Sequence, residues 1–147
     1  MAIIKPFFAL RPKEELAAQV ASRPYDVLNS EEARTEAGNN PFSFLHVTKS
    51  EIDLPPDTDT HSKAVYEKAK ENLQQLMTAG ILFKEVKPCY YIYQLIMNGR
   101  SQTGLVCGSS VDDYENGLIK KHELKKKKKE QDRINHIKTT GAQTGNV

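Results

Sequence analysis

An Asn-Gly pair at positions 98–99, set between two runs of strand-forming residues, fixes one piece of this chain's architecture. Those two residue types tolerate the positive backbone φ that a type I′ turn demands at both of its central positions. Tyr90, Tyr91, Ile92, Tyr93, Leu95 and Ile96 precede the pair, and aromatic and β-branched side chains favour a pleated surface. An antiparallel hairpin over residues 89–97 and 100–107 is therefore expected. The tyrosines admit two readings: a stacking platform for single-stranded nucleic acid, or one face covering a core. Few cations interleave with them, which favours the core.

The rest of the chain alternates between short strand-like and helical patterns. Ile3-Ile4 and Phe7-Phe8-Ala9-Leu10 read as an N-terminal strand interrupted by Pro6 and ended by Pro12. Pro12 then opens a short helix over 13–21, with Glu14 and Glu15 in its first turn. Ser30 is the expected N-cap of a helix that stops at Gly38. Residues 42–47 alternate loosely and predict a strand carrying His46. A longer helix is expected from Thr60 or Ser62 to Ala79, its apolar stripe built from Val65, Ala69, Leu73 and Leu76 with Met77 at the edge, and Gly80 as the left-handed cap. Tyr66 and Met77 read as core. Asp112-Asp113-Tyr114 begins a short helix ended by Gly117, and residues 130–140 form a last helix stopped by Gly141. The class implied is α+β: a small mixed sheet with the Asn-Gly hairpin and several packed helices. Residues 1–117 form the body, and 118–147 a basic helical segment of the same domain.

At 147 residues the chain has the size of one ordinary domain with a real core. No run of eighteen apolar residues occurs, and Lys5 and Pro6 break the N-terminal stretch, so neither a spanning helix nor a secretory signal is expected. Cys89 and Cys107 are widely spaced and read as reduced, half-buried thiols of a cytoplasmic protein.

Charge is unevenly placed. Residues 118–138 hold nine cations against three carboxylates, so this segment carries +6 and, with +2 overall, the remainder carries −4. One basic segment on a mildly acidic body points to an anionic partner there, not to a protein coated for nucleic acid. Its central five lysines point all around a helix and read as a solvated face. Asp132 and His136 share a helical face four residues apart, and Arg133 lies three from His136. A carboxylate there can raise the imidazole pKa, and the guanidinium can clamp a phosphate. The plain alternative is an exposed ion pair worth about 0.3–0.5 kcal/mol. His122-Glu123 reach one site only from a turn. Arg23-Pro-Tyr-Asp26 is a stiff turn exposing opposite charges, read either as a structural Arg–Asp bridge or as a binding site. No zinc spacing, Walker loop or dinucleotide fingerprint is present. Magnesium arriving with a phosphate substrate would find Asp112, Asp113 or Glu123.

Five stretches in order, IIKPFFALRP, SRPYDVLNSEEAR, NPFSFLHVTKSE, VDDYENGLIKKHEL and KEQDRINHIKTTGAQTG, resemble the N-terminal part of a bacterial family catalogued as domain of unknown function 1015. That resemblance implies a distant relation to ParB/sulfiredoxin-fold proteins, among which are kinases acting on free L-serine. Family members are the length of about two or three ordinary domains and carry a downstream Asp-Gly-His-His-Arg motif, before which this chain stops. Lys125 stands where members usually have threonine.

Taken with the residues above, the resemblance implies the N-terminal portion of a phosphotransferase for a small hydroxy amino acid. Glu123, Asp26 and His122 are the candidate catalytic groups, and Arg133, His136, Arg23 and Lys121 the candidate phosphate-binding ones. The expected co-substrate is ATP, ADP or pyrophosphate with magnesium, and the expected partner a serine-like acceptor. Two alternatives remain: a ParB-like nucleotide- or DNA-binding module using the lysine segment, and an inactive truncated fragment.

Overall fold

The computed structural model describes residues 1–120 and 127–145. Along the chain run β1 (Ile4–Lys5), β2 (Leu10–Pro12), α1 (Ala17–Val20, continuing a 3-10 turn Glu14–Leu16), α2 (Ser30–Ala37) and α3 (Leu45–Thr48). They are followed by α4 (Lys63–Thr78), β3 (Leu82–Lys84), β4 (Tyr91–Met97), β5 (Arg100–Val106), β6 (Gly108–Ser109), α5 (Val111–Glu115) and α6 (Lys127–Thr140). Two further 3-10 turns, Tyr25–Val27 and Ser50–Asp53, lie beside α2 and after α3. The fold is α+β. The residues form two compact units: Met1–Arg11 with Lys84–Leu124, and Pro12–Phe83 with Lys125–Val147.

In the first unit the expected hairpin forms as β4–β5, antiparallel, with Tyr93 opposite Gly104 and Met97 opposite Arg100. Asn98 (φ 51°) and Gly99 (φ 75°) take the left-handed conformations the turn requires. The small mixed sheet expected from the sequence is here two separate antiparallel ladders, β4–β5 and β1–β6, plus one bridge between Phe7 and Cys89. Pro6 is the reason the N-terminal strand is broken, since it has no N–H to give a ladder. Tyr91 anchors the hairpin: its hydroxyl donates to Phe7 O (3.1 Å) and accepts from Ala9 N–H (3.2 Å). Its ring lies 5.1 Å from that of Phe7. Tyr90 and Tyr93 stay about half exposed, so the tyrosines do not share one buried face.

In the second unit α4 supplies the spine. Val65, Tyr66, Ala69, Asn72, Leu73 and Leu76 are buried along it, the spacing of a helical stripe, and they pack against α3, α6 and the Ser50–Asp53 turn. Met77, expected at the stripe's edge and in the core, is instead exposed. Gly80 (φ 69°) ends the helix as expected.

Two expectations are corrected. Asn29, not Ser30, caps α2: its side chain accepts from Glu32 N–H, and the Glu32 carboxylate accepts from Asn29 N–H, a reciprocal capping box. Residues 42–47 do not form a strand; Leu45–Thr48 is a single helical turn. Its Leu45 and Val47 are both fully buried although they point to different sides of the turn, because α2, α4 and the following 3-10 turn surround it. A short apolar run carries no periodicity that separates these two outcomes.

Candidate functional site

A cleft of about 550 Å³ opens in the second unit, between the Tyr25–Val27 turn, the start of α2, the loop after α3, the approach to α4, and α6. Each wall is positioned by local chemistry. The capping box fixes Asn29 and Ser30 at the rim. Arg34, one turn along α2, donates to the carbonyls of Glu51, Ile52 and Leu54 at 3.0–3.2 Å and so holds the loop that carries Lys49 and Glu51. Glu51 is buried, yet its carboxylate is satisfied by Lys49 Nζ (3.0 Å) and Ser30 Oγ–H (2.9 Å). Ser50 closes the wall behind it by donating to Val65 O (2.6 Å).

Asp132, on α6, is the opposite wall's organising group. Tyr66 O–H (2.8 Å) and His61 Nδ1 (3.0 Å) meet its Oδ1, and the Arg133 guanidinium meets Oδ2 at 2.9 and 3.3 Å. Burial pushes this carboxyl upward, but the hydrogen bonds from Tyr66, His61 and Arg133, aided by the Arg133 charge, hold it below its ordinary value. Burial, then the hydrogen bond and charge of Asp132, push the Tyr66 phenol up. Arg133 also lies face-on to Tyr25, its guanidinium carbon 4.1 Å from the ring centroid, a cation–π contact that orients the planar fork.

His136 is 3% exposed. Its Nε2–H donates to Val47 O (3.0 Å), while Nδ1 is buried without a hydrogen-bond partner. Burial first, and the Arg133 charge as well, push the imidazole below its ordinary pKa, against the opposing pulls of Val47 O and Asp132. The ring is therefore neutral at pH 7 with a free lone pair on Nδ1. Sequence spacing had suggested that Asp132 would raise this pKa. Asp132 instead spends its oxygens on Tyr66, His61 and Arg133, and desolvation decides the sign.

Of the residues singled out from the sequence, Asp26, Asp132, Arg133 and His136 line this cleft together. Arg23 does not pair with Asp26. Its backbone N–H and Nε both donate to Glu36 on α2, and those bonds hold the Glu36 carboxyl below its ordinary value. The RPYD turn thus splits its charges, Arg23 bracing α2 and Asp26 left at the cleft. Lys121, His122 and Glu123 lie outside the described residues. Asp113 is in the first unit, where it accepts from Ile3 N–H (2.7 Å). Among the described residues no cluster of three or more His, Cys, Asp or Glu side chains could hold a metal ion.

The cleft also contains Lys49, Glu51, His61, Tyr25, Tyr66 and Lys129, which residue-by-residue reading did not select. Tyr25, Lys49 and Glu51 sit inside two of the five ordered motifs, a signal that was present. Tyr66 was read as core and is core, but its hydroxyl reaches the site. His61, in a polar loop, has no local mark at all. Three cations (Lys49, Lys129, Arg133) and three carboxylates (Asp26, Glu51, Asp132) leave the lining formally neutral.

An α+β chain whose helical unit holds a mixed-charge cleft with one buried, half-satisfied imidazole is the class these observations define. The model of the family described as "Protein of unknown function (DUF1015)" matches residues 4–147. The chain belongs to that family. No curated protein and no solved structure matches it. Among the described residues no helix is long and apolar enough to cross a membrane.

Proposed function

We propose that the cleft is the acceptor side of a phosphoryl-transfer site, taking free serine or a similar small hydroxy amino acid, with ATP, ADP or pyrophosphate carrying magnesium as donor. The observation that carries this reading is the balanced lining: three cations and three carboxylates in one cleft of about 550 Å³. A zwitterion needs both signs at short range, a cation for its carboxylate and a carboxylate for its ammonium. A nucleic-acid backbone would gain no net attraction from such a lining. The five ordered motifs, whose resemblance implies a distant relation to ParB/sulfiredoxin-fold proteins and the free serine kinases among them, point the same way.

In this reading Arg133 and Lys129 face the transferring phosphoryl group, where positioning and charge stabilisation do most of the work. Asp26, exposed in the lining, is one candidate base. Glu123 is the other and His122 a further catalytic candidate, both outside the described residues. Magnesium enters on the donor's phosphates, in keeping with its habit of retaining water and substrate oxygens as ligands.

Phosphate transfer to L-serine is measured on this chain and on a longer family member with each donor in turn. Arg133→Ala is expected to lower turnover by about 10²-fold or more, the usual effect of removing one preorganised charge-stabilising donor. Undiminished turnover in Arg133→Ala and Asp26→Asn would end the assignment.

A further inference from the structure

His136 carries an unexplained cost. An imidazole nitrogen that is buried and left without a partner loses its water without compensation, and such groups are rare in native proteins. The ring cannot turn to relieve this, because Nε2–H is committed to Val47 O at 3.0 Å. That bond also fixes the tautomer, leaving a lone pair, not a proton, on Nδ1. His136 is among the residues that line the cleft, with Arg133 and Asp132 of the same helix, and a ligand that reaches the buried Nδ1 does so by displacing the side chains now covering it. A carboxylate or phosphate oxygen brought to Nδ1 would set lone pair against lone pair. The partner Nδ1 lacks is therefore a hydrogen-bond donor.

Two donors occur on the ligand class proposed above, an ammonium and a hydroxyl. A carboxylate stands in the same lining for the ammonium, and a positive group is better matched by the exposed Asp26 than by a neutral imidazole. The hydroxyl has no such competitor. We propose that His136 Nδ1 accepts the hydrogen bond of the ligand's hydroxyl group, making His136 the residue by which this cleft selects hydroxy compounds over their deoxy analogues. The inference rests on the acceptor reading above for its ligand class but needs no turnover. A site built around a buried acceptor discriminates strongly against an analogue lacking the donor, because the acceptor is again left unpaired.

The test is made on the whole chain with histidine labelled in both ring nitrogens, using long-range proton–nitrogen correlation spectra. His136 is assigned from the signals lost in His136→Gln or, should that variant not fold, by elimination with His46→Asn, His61→Asn and His122→Asn. The ring is expected in the Nε2–H form without ligand. L-Serine and 3-hydroxypropionate, which share only the hydroxyl and the carboxylate, are expected to move the Nδ1 signal in a saturable way. L-Alanine and inorganic phosphate are expected to leave it in place. Binding of L-serine should exceed that of L-alanine by tenfold or more in the wild type, and the ratio should collapse towards one in His136→Gln. An equal response to alanine would show the ammonium at Nδ1 and overturn the proposal, as would an Nδ1 signal that no ligand moves. Failure of phosphate transfer with an intact Nδ1 response removes the kinase reading alone. Transfer with a silent Nδ1 removes this one alone.

Discussion

At the scale of single residues, His136 and Asp132 tie stability to pH in ways that can be separated. The His136 pKa is held below its ordinary value, so the unfolded chain takes up a proton that the folded ring refuses. Its contribution is whole above about pH 6.5 and is lost as the pH falls from there through the folded value. Urea unfolding between pH 7.5 and 5 (roughly spanning that window) should show a fall in the wild type that is shallower in His136→Gln. His46, His61 and His122 are common to both chains and drop out of the difference. Asp132 acts lower: its depressed carboxyl contributes stability that is complete above about pH 4 and lost as the pH falls through the folded value. In Asp132→Asn that acid limb of the profile should flatten. Tyr66, His61 and Arg133 also lose their common partner there, so neutral-pH stability should fall too.

At the scale of elements, the capping box of α2 has the clearest consequence. Asn29→Ala removes one side of it and should cost about 1 kcal/mol, read from the shift in denaturation midpoint at unchanged slope. The sequence contained the sign that Asn29 and not Ser30 does the capping. Glu32 stands three residues after Asn29, whereas Ala33 stands three after Ser30. Elements whose cause is local were legible in this way: the Asn98-Gly99 turn, the α4 stripe, and the Gly38, Gly80 and Gly141 stops, each at positive φ. The α3 turn was not, because its form is imposed by neighbours on several sides. The site was legible in the same proportion. Arg133 and His136 announced themselves as a charged cluster, while His61 reaches Asp132 across 71 residues of sequence and nothing near it says so.

At the scale of the whole molecule, the two units are unequally built. Every fully buried apolar side chain among the described residues belongs to the second unit. In the first, Ile92, Ile96 and Met97 of the hairpin are at least 70% exposed, and two-stranded hairpins are marginal by themselves. The main cooperative transition should therefore report the second unit. A chain ended at residue 126 would lack α6, which packs along α4. It should melt at lower temperature and bind a hydrophobic dye more strongly, and an unaltered melt would show that α6 adds nothing to the packing.

The cleft draws its walls from residues 25–66 and then from 129–136, with the 84–124 stretch of the first unit threaded between. During synthesis the ribosome must finish that whole detour before α6 exists to meet α4. Until α6 has been synthesised a nascent chain carries only the 25–66 part of the cleft, and residues 129–136 complete its walls afterwards.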